Sequence, residues 1–358
     1  MYKRQRLGYA ELVQRVDRVA GGFIRHGVEP GDRVAVVLGN SIAAVIAILA
    51  LHRANAVPVM LNPRLKTQQV IELAKHSGVA AAVLPTRASY RDDLRAVCLR
   101  QSVFSAGGDA PDDIAAWETE ANEPSALKAV PEGAAFVFFT SGTTGLPKGV
   151  VIPHRAAESR VLFMSTQVGY RHGEHNRILG AMPLYHVIGF FAVLVATLAL
   201  NGRYVIVGEF KPSETLALID SEEVTGMFVT PTHLHALLAD AHFSDARLTS
   251  LQHITFAGAT MPDALLNRIN SQLPGEKVNI YGTTEAMNSM YARSPETGTV
   301  LRPGFFSEVR TVPIGSTSAD RAGLGAQGEL WVSTAADATF SEYLNRPGTT
   351  LEKCAGGW

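Results

Sequence analysis

Cysteine is nearly absent from this chain of 358 residues: Cys98 and Cys354 stand far apart, in no CxxC or Cys/His spacing. Such a pair builds neither a disulfide framework nor a structural zinc site, and a reducing, cytoplasmic setting fits it best. Charge of one sign is missing too, since the formal net charge is −1 with 18% charged residues. No electrostatic footprint for nucleic acid or an anionic membrane follows from that balance, so an anion would be bound locally. Long apolar runs are scarce. The two candidates are residues 42–51 and 187–200. As a helix rising about 1.5 Å per residue the longer spans only about 21 Å, short of the roughly 30 Å hydrocarbon core, so both are expected to be buried helices and no membrane partner is expected. The first eight residues are polar and basic and run into a helical pattern, unlike a secretory leader. Internal repeats are not visible, and a homo-oligomer is left open.

What is present is an ordinary globular composition, 46% hydrophobic, with helical and strand patterns in alternation. Residues 9–26 are amphipathic, 33–38 read as a strand, 41–53 as a helix, 57–61 as a strand, 68–77 as a helix and 80–84 as a strand. Strands that are apolar throughout belong in a parallel sheet covered by helices on both faces. Residues 107–133 turn rich in Asp, Glu, Ala and Pro, a solvated connection. A second series places strands at 204–207, 227–230, 253–256 and 278–281, and from about residue 303 short strands with Gly and Pro between them suggest a small β unit. The expected fold is α/β: two doubly wound subdomains, residues 1–178 and 179–302, and a small, incomplete β-barrel unit over 303–358. The last unit is expected to be cut short, because the chain stops after a helical pattern with no closing element.

The stretch that says most about chemistry is T-S-G-T-T-G-L-P-K-G at residues 140–149, directly after the apolar run 136–139. Gly142 and Gly145 let backbone N–H groups turn inward without a Cβ in the way, while Thr140, Ser141, Thr143 and Thr144 add hydroxyl donors around the same anion. Lys148 supplies a point charge. A Walker A loop needs Gly-Lys-Ser/Thr at its end and four residues between its glycines, whereas here Pro147 precedes the lysine, Gly149 follows it, and only two residues separate the glycines. A polyphosphate loop of another kind is therefore expected, against the plain alternative of a flexible surface loop.

Three further places could carry chemistry. His186, in M-P-L-Y-H, lies between a strand ended by proline and a very apolar helix, where a lone histidine is more often structural than functional. Y-G-T-T-E at 281–285 follows a strand and would bring an aromatic ring, two hydroxyls and a carboxylate to the crevice of an open sheet. Glu285 could hold Mg²⁺ between phosphates, or be an acid in the first turn of a helix. F-A-G-A-T at 256–260 offers small residues against which a flat base could lie.

Taken together and in this order, T-S-G-T-T-G-L-P-K-G, M-P-L-Y-H, F-A-G-A-T, Y-G-T-T-E and G-E-L resemble the core motifs of the adenylate-forming superfamily of acyl-CoA synthetases, luciferases and peptide-synthetase adenylation domains. Residues 26–66, 156–208 and 256–309 are most similar to its 4-chlorobenzoate:CoA ligase branch. The resemblance implies ATP, Mg²⁺ and coenzyme A, and a reaction in which a carboxylate becomes an acyl adenylate and then a thioester. By motif, residues 140–148, with Lys148, would grip the β- and γ-phosphates, Thr284 the α-phosphate and Glu285 the magnesium. Gly258, Ala259, Asn279, Tyr281, Gly282 and Thr283 would surround the nucleotide, and His186 would lie beside the aryl carboxylate. The acyl pocket would comprise Phe163, His186, Val187, Ile188, Phe228, Ala257, Ile280, Gly282, Met287 and Asn288. Free of acidic and basic residues apart from His186, that set favours a neutral, flat aromatic acid such as a plain or halogenated benzoate.

Where the family has a tyrosine before the loop threonine, this chain has Phe139. Family members also continue past residue 358 into the ribose-binding aspartate and a lid domain with a catalytic lysine, so impaired turnover is expected: one missing positioned charge costs roughly 10²–10³-fold. A ligand-binding remnant without catalysis, and an aryl-acid adenylation domain serving a carrier protein, remain as alternatives.

Overall fold

The computed structural model describes residues 5–108, 113–118, 133–140, 146–243 and 248–358, and divides into two compact units, residues 1–151 and 152–358. The first alternates as its apolar pattern requires: α1 (Tyr9–Arg25), β1 (Arg33–Val36), α2 (Ile42–Arg53), β2 (Val57–Met60), α3 (Thr67–Ser77), β3 (Ala81–Pro85), α4 (Arg91–Val97), β4 (Ser102–Ala106), α5 (Ile114–Trp117), β5 (Ala134–Phe139) and β6 (Gly149–Pro153). Helix α1 buries a single stripe that includes Val16, Val19, Ala20 and Phe23, as an amphipathic surface helix does. Helix α2, apolar all round, is buried over most of its length and starts at Ser41, whose Oγ accepts from the Ala44 N–H at 3.1 Å.

Within the first unit the strand order is β6-β5-β2-β1-β3-β4, and the β1–β2, β1–β3, β2–β5 and β3–β4 pairs are parallel. The chain leaves β1 in both directions, which is the double winding the alternation implied. Pro58 sits inside β2 without breaking it. Its neighbour Val57 donates to Asp32 on the β1 side, so position 58 faces β5, where the ladder begins only at Val59. The N–H that proline lacks falls outside the paired stretch.

The second unit runs α6 (Arg155–Phe163), a π-helical turn at Met164–Val168, β7 (Arg177–Gly180), a π-helix at Ile188–Val195 continued by α7 (Ala196–Ala199), β8 (Arg203–Ile206), α8 (Pro212–Ser221), β9 (Gly226–Val229), α9 (Pro231–Ala239), β10 (His253–Phe256), α10 (Asp263–Gln272) and β11 (Glu276–Tyr281). Then follow β12 (Met290–Arg293), β13 (Arg302–Pro303), β14 (Val309–Val312), β15 (Glu329–Val332), β16 (Glu342–Tyr343) and α11 (Pro347–Lys353). Its large sheet has the order β13-β12-β11-β10-β9-β7-β8, parallel from β8 to β11 and antiparallel at β12 and β13. The helix expected over 187–200 is buried as anticipated, but its first part is wound as a π-helix. Strands β14 and β15 pair as an antiparallel ribbon, which is what the described residues supply of the small β unit.

Candidate active site at the carboxyl ends of the second sheet

After β7 the chain crosses to β8 on one side of that strand and then returns to β9 on its other side. The loops after β7 and β9 therefore diverge, and such a switch point in an open parallel sheet leaves a crevice at the carboxyl ends of its strands. Four neighbouring strands deliver the predicted residues to this edge: β7 leads to His186, β9 carries Phe228, β10 ends at Ala257 and Gly258, and β11 carries Asn279 to Tyr281 and leads to Glu285.

His186 sits in a turn whose N–H donates to the Pro183 carbonyl at 3.1 Å, and its own carbonyl accepts from Phe190 at 3.0 Å, at the start of the π-helix. Gly189 makes this turn feasible, since a Cβ there would overlap the Pro183 carbonyl. The imidazole is solvent-exposed and has no hydrogen-bond partner among the described residues, with the Tyr185 ring 4.8 Å away. Desolvation by the surrounding protein nevertheless holds its pKa below the usual histidine range. Water thus reaches the ring while the protein around it favours its uncharged form.

Several of the apolar residues predicted for the pocket are gathered in one place. Phe163, Phe228, Ala257 and Ile280 belong to a single buried cluster, with Ile188 packed partly buried against it. Val187, Met287 and Asn288 are buried as well, at 7%, 3% and 5% exposure. Asn288 lies in the left-handed region at φ 48°, and its buried Nδ2 has no partner among the described residues. An orphaned donor beside an apolar cluster is what a pocket with one orienting polar group presents. Gly282 backs this turn, because a Cβ on it would overlap the Asn288 backbone N–H.

The segment after β11 is an irregular loop, not a helix, so Glu285 is no first-turn acid. Thr283 shapes the loop by accepting from the Ala286 N–H at 3.1 Å, whereas Thr284 is half-buried and makes no side-chain hydrogen bond among the described residues. Glu285 Oε1 accepts from the Tyr343 hydroxyl at 2.8 Å, and no described residue bonds Oε2. One carboxylate with an oxygen to spare fits a Mg²⁺ ion completed by phosphate and water; among the described residues no cluster of three or more His, Cys, Asp or Glu could cage a metal by protein ligands alone. Tyr281, Gly282, Gly258 and Ala259 are exposed on the adjacent ends of β10 and β11, and Gly258 has φ 85°. Asn279 is buried and spends its Nδ2 on the Gly298 carbonyl at 2.9 Å.

In the first unit, β5 and β6 are neighbouring strands, and the polyphosphate motif is the connection between them. Its closure is marked by the Thr140 N–H donating to the Lys148 carbonyl at 3.1 Å. Ser141, Gly142, Thr143, Thr144 and Gly145 lie outside the described residues. Thr140 Oγ1 at the base of the loop is buried without a partner among the described residues, and Lys148 is half-buried.

Two residues escaped the sequence reading. Tyr343, 58 positions from Glu285 in the chain, belongs to no motif near it. Arg160 is 1% exposed, one helical turn before Phe163, and its Nε and Nη1 have no partner among the described residues. An arginine three positions ahead of an aromatic carries no periodic signal that separates burial from exposure.

A sequence profile described as AMP-binding enzyme matches residues 1–344. The chain is 55% identical over 292 residues to a 4-chlorobenzoate–CoA ligase from Pseudomonas sp. (strain CBS-3), covering 80% of this chain and 54% of that protein. It is 41% identical over 361 residues to a 4-chlorobenzoate–CoA ligase from Arthrobacter, covering 99% of this chain and 67% of that protein. The chain thus spans about half to two thirds of the length of these relatives. In three dimensions it superposes on ATP-bound MatB from Rhodopseudomonas palustris with a TM-score of 0.87 over 97% of this chain and 68% of the other, at 21% identity, a likeness of fold.

Proposed function

This chain belongs to the AMP-binding enzyme family, and from that premise we propose that it activates an aryl carboxylic acid of the 4-chlorobenzoate kind with ATP. One carboxylate oxygen of the acid attacks the α-phosphorus, the bond to the β-phosphate oxygen breaks, and pyrophosphate leaves with its electron pair. The thiolate of coenzyme A then adds to the acyl carbon of the adenylate, and AMP departs. The observation that carries this reading is the convergence of His186, the Phe228–Ala257–Ile280 cluster and Glu285 at the carboxyl ends of adjacent parallel strands.

In this reading the apolar cluster excludes water and holds the ring flat, while the neutral imidazole of His186 meets the carboxylate end as a hydrogen-bond donor without the cost of a buried second charge. Thr284 would donate toward the α-phosphate, and Gly258, Ala259 and Tyr281 would offer a flat exposed surface for adenine; in the first unit, Lys148 follows a stretch whose residue types suit it to bind phosphate. When bound at Glu285, Mg²⁺ would neutralise phosphate charge and polarise the α-phosphoryl oxygen.

Calorimetric titration of the chain with Mg·ATP and with 4-chlorobenzoate, repeated on His186→Ala, tests the proposal. The wild type should bind both ligands. The variant should retain ATP and lose about tenfold or more in acid affinity, the worth of one lost contact of ~1.4 kcal/mol. A wild type that binds neither would make the likeness one of ancestry alone.

A further inference from the structure

The Glu285 loop is tied down by a segment of the same unit that no sequence motif links to it. Ala286 and Thr339 form an antiparallel β-bridge, the Phe340 N–H donates to the Glu285 carbonyl at 2.8 Å, and the Tyr343 hydroxyl donates to Glu285 Oε1 at 2.8 Å. Tyr343 is itself fixed. Its ring is 4% exposed and lies 4.8 Å from the ring of Phe340, and its N–H donates to Thr350 Oγ1 at 2.9 Å. Backbone and side chain of Glu285 are therefore held by two residues three positions apart, one through its main chain and one through its hydroxyl.

We propose that Tyr343 is a positioning residue for Glu285: its hydroxyl occupies Oε1 and fixes the carboxylate rotamer, so that Oε2 alone is presented to a divalent cation. The inference rests on the adenylation reading of the same site. A carboxylate with both oxygens free can chelate or swing away, whereas one oxygen held by a rigid donor leaves a single ligand of set direction, as outer-shell partners do for metal ligands generally.

The test is Tyr343→Phe, which removes the hydroxyl and keeps the packed ring. Two readouts avoid turnover: the Mg²⁺ concentration at half-maximal ATP binding by calorimetry, and binding of Mn²⁺ to the protein–ATP complex by electron paramagnetic resonance. The metal midpoint should rise about tenfold, the usual scale for loss of an outer-shell partner, with affinity for 4-chlorobenzoate unchanged. In a Glu285→Gln background the same substitution should add nothing. A midpoint within about twofold of wild type, or an equal shift in the Glu285→Gln background, overturns the inference, and so does a parallel loss of aryl-acid binding, which is the mark of a merely structural residue. If the wild type shows no ATP binding at any Mg²⁺ level, the adenylation reading itself fails and the inference falls with it.

Discussion

At the residue scale, Lys148 decides between an enzyme and a ligand-binding relative. It stands at the end of a glycine- and hydroxyl-rich connection whose first residue, Thr140, leaves a buried hydroxyl without a partner among the described residues. Lys148→Ala should lower ATP–pyrophosphate exchange by about 10²–10³-fold, the cost of one positioned donor or charge at a developing anion. Exchange that is absent in the wild type, with ATP still bound, would favour the non-catalytic relative. The candidates in the 140–149, 182–186, 256–260 and 281–285 stretches could be singled out in the sequence because each lies in a short motif whose residue types have a local reason: glycines for close backbone approach, hydroxyls for donors, a carboxylate after a strand. Tyr343 and Arg160 were not legible, because what singles them out is a contact across the fold or burial, and neither leaves a mark at its own position.

At the scale of elements, the π-helix after His186 is the informative departure. A run as apolar as residues 187–200 predicts burial in any helical form, but the winding is set by what the helix start must touch. Gly189 lies so close to the Pro183 and Met182 carbonyls that no side chain fits, and the turn bearing His186 is held by that approach. Gly189→Ala should cost about 1–3 kcal/mol by overpacking and should also weaken binding of the aryl acid, since the backbone can relieve the overlap only by moving the His186 turn. Denaturant unfolding and acid titration on the same variant check both halves, and a variant as stable as wild type would show the approach to be less tight than described. The parallel strands were readable from their unbroken apolar runs, Pro58 included, though only the register explains why that proline is tolerated.

For the molecule as a whole, pH provides a test that sums over residues. Burial lowers the pKa of His154, His186, His233 and His253 below the ordinary histidine value. Each then binds its proton less readily in the folded state than in the unfolded one. Between the folded and unfolded pKa values the unfolded chain holds more protons, so stability rises with pH across that window and is lost as pH falls through about 6.5. Urea midpoints should decline from pH 7 to pH 5, with net proton uptake on unfolding. A flat profile over that range would mean that these rings are hydrated in the folded state. Glu276 acts in a lower window: its hydrogen bond from Arg293 depresses its pKa, so its contribution is lost only as pH falls further, through the carboxylate range.

The sequence by itself determined the class of fold, the alternation of helices and strands, and the residue types available for chemistry: a glycine- and hydroxyl-rich stretch before a lysine, a histidine beside an apolar run, a carboxylate after a strand. These follow from local periodicity and from residue types that have one physical use in a given setting. Tertiary structure alone decided which of them meet. The return of the chain from β8 to β9 opens the crevice, the order of β7, β9, β10 and β11 brings four separate stretches to one edge, and the bridge at Thr339 lays Tyr343 against Glu285. Strand order and long-range contacts minimise the free energy of the whole chain, so no segment carries them in its own composition.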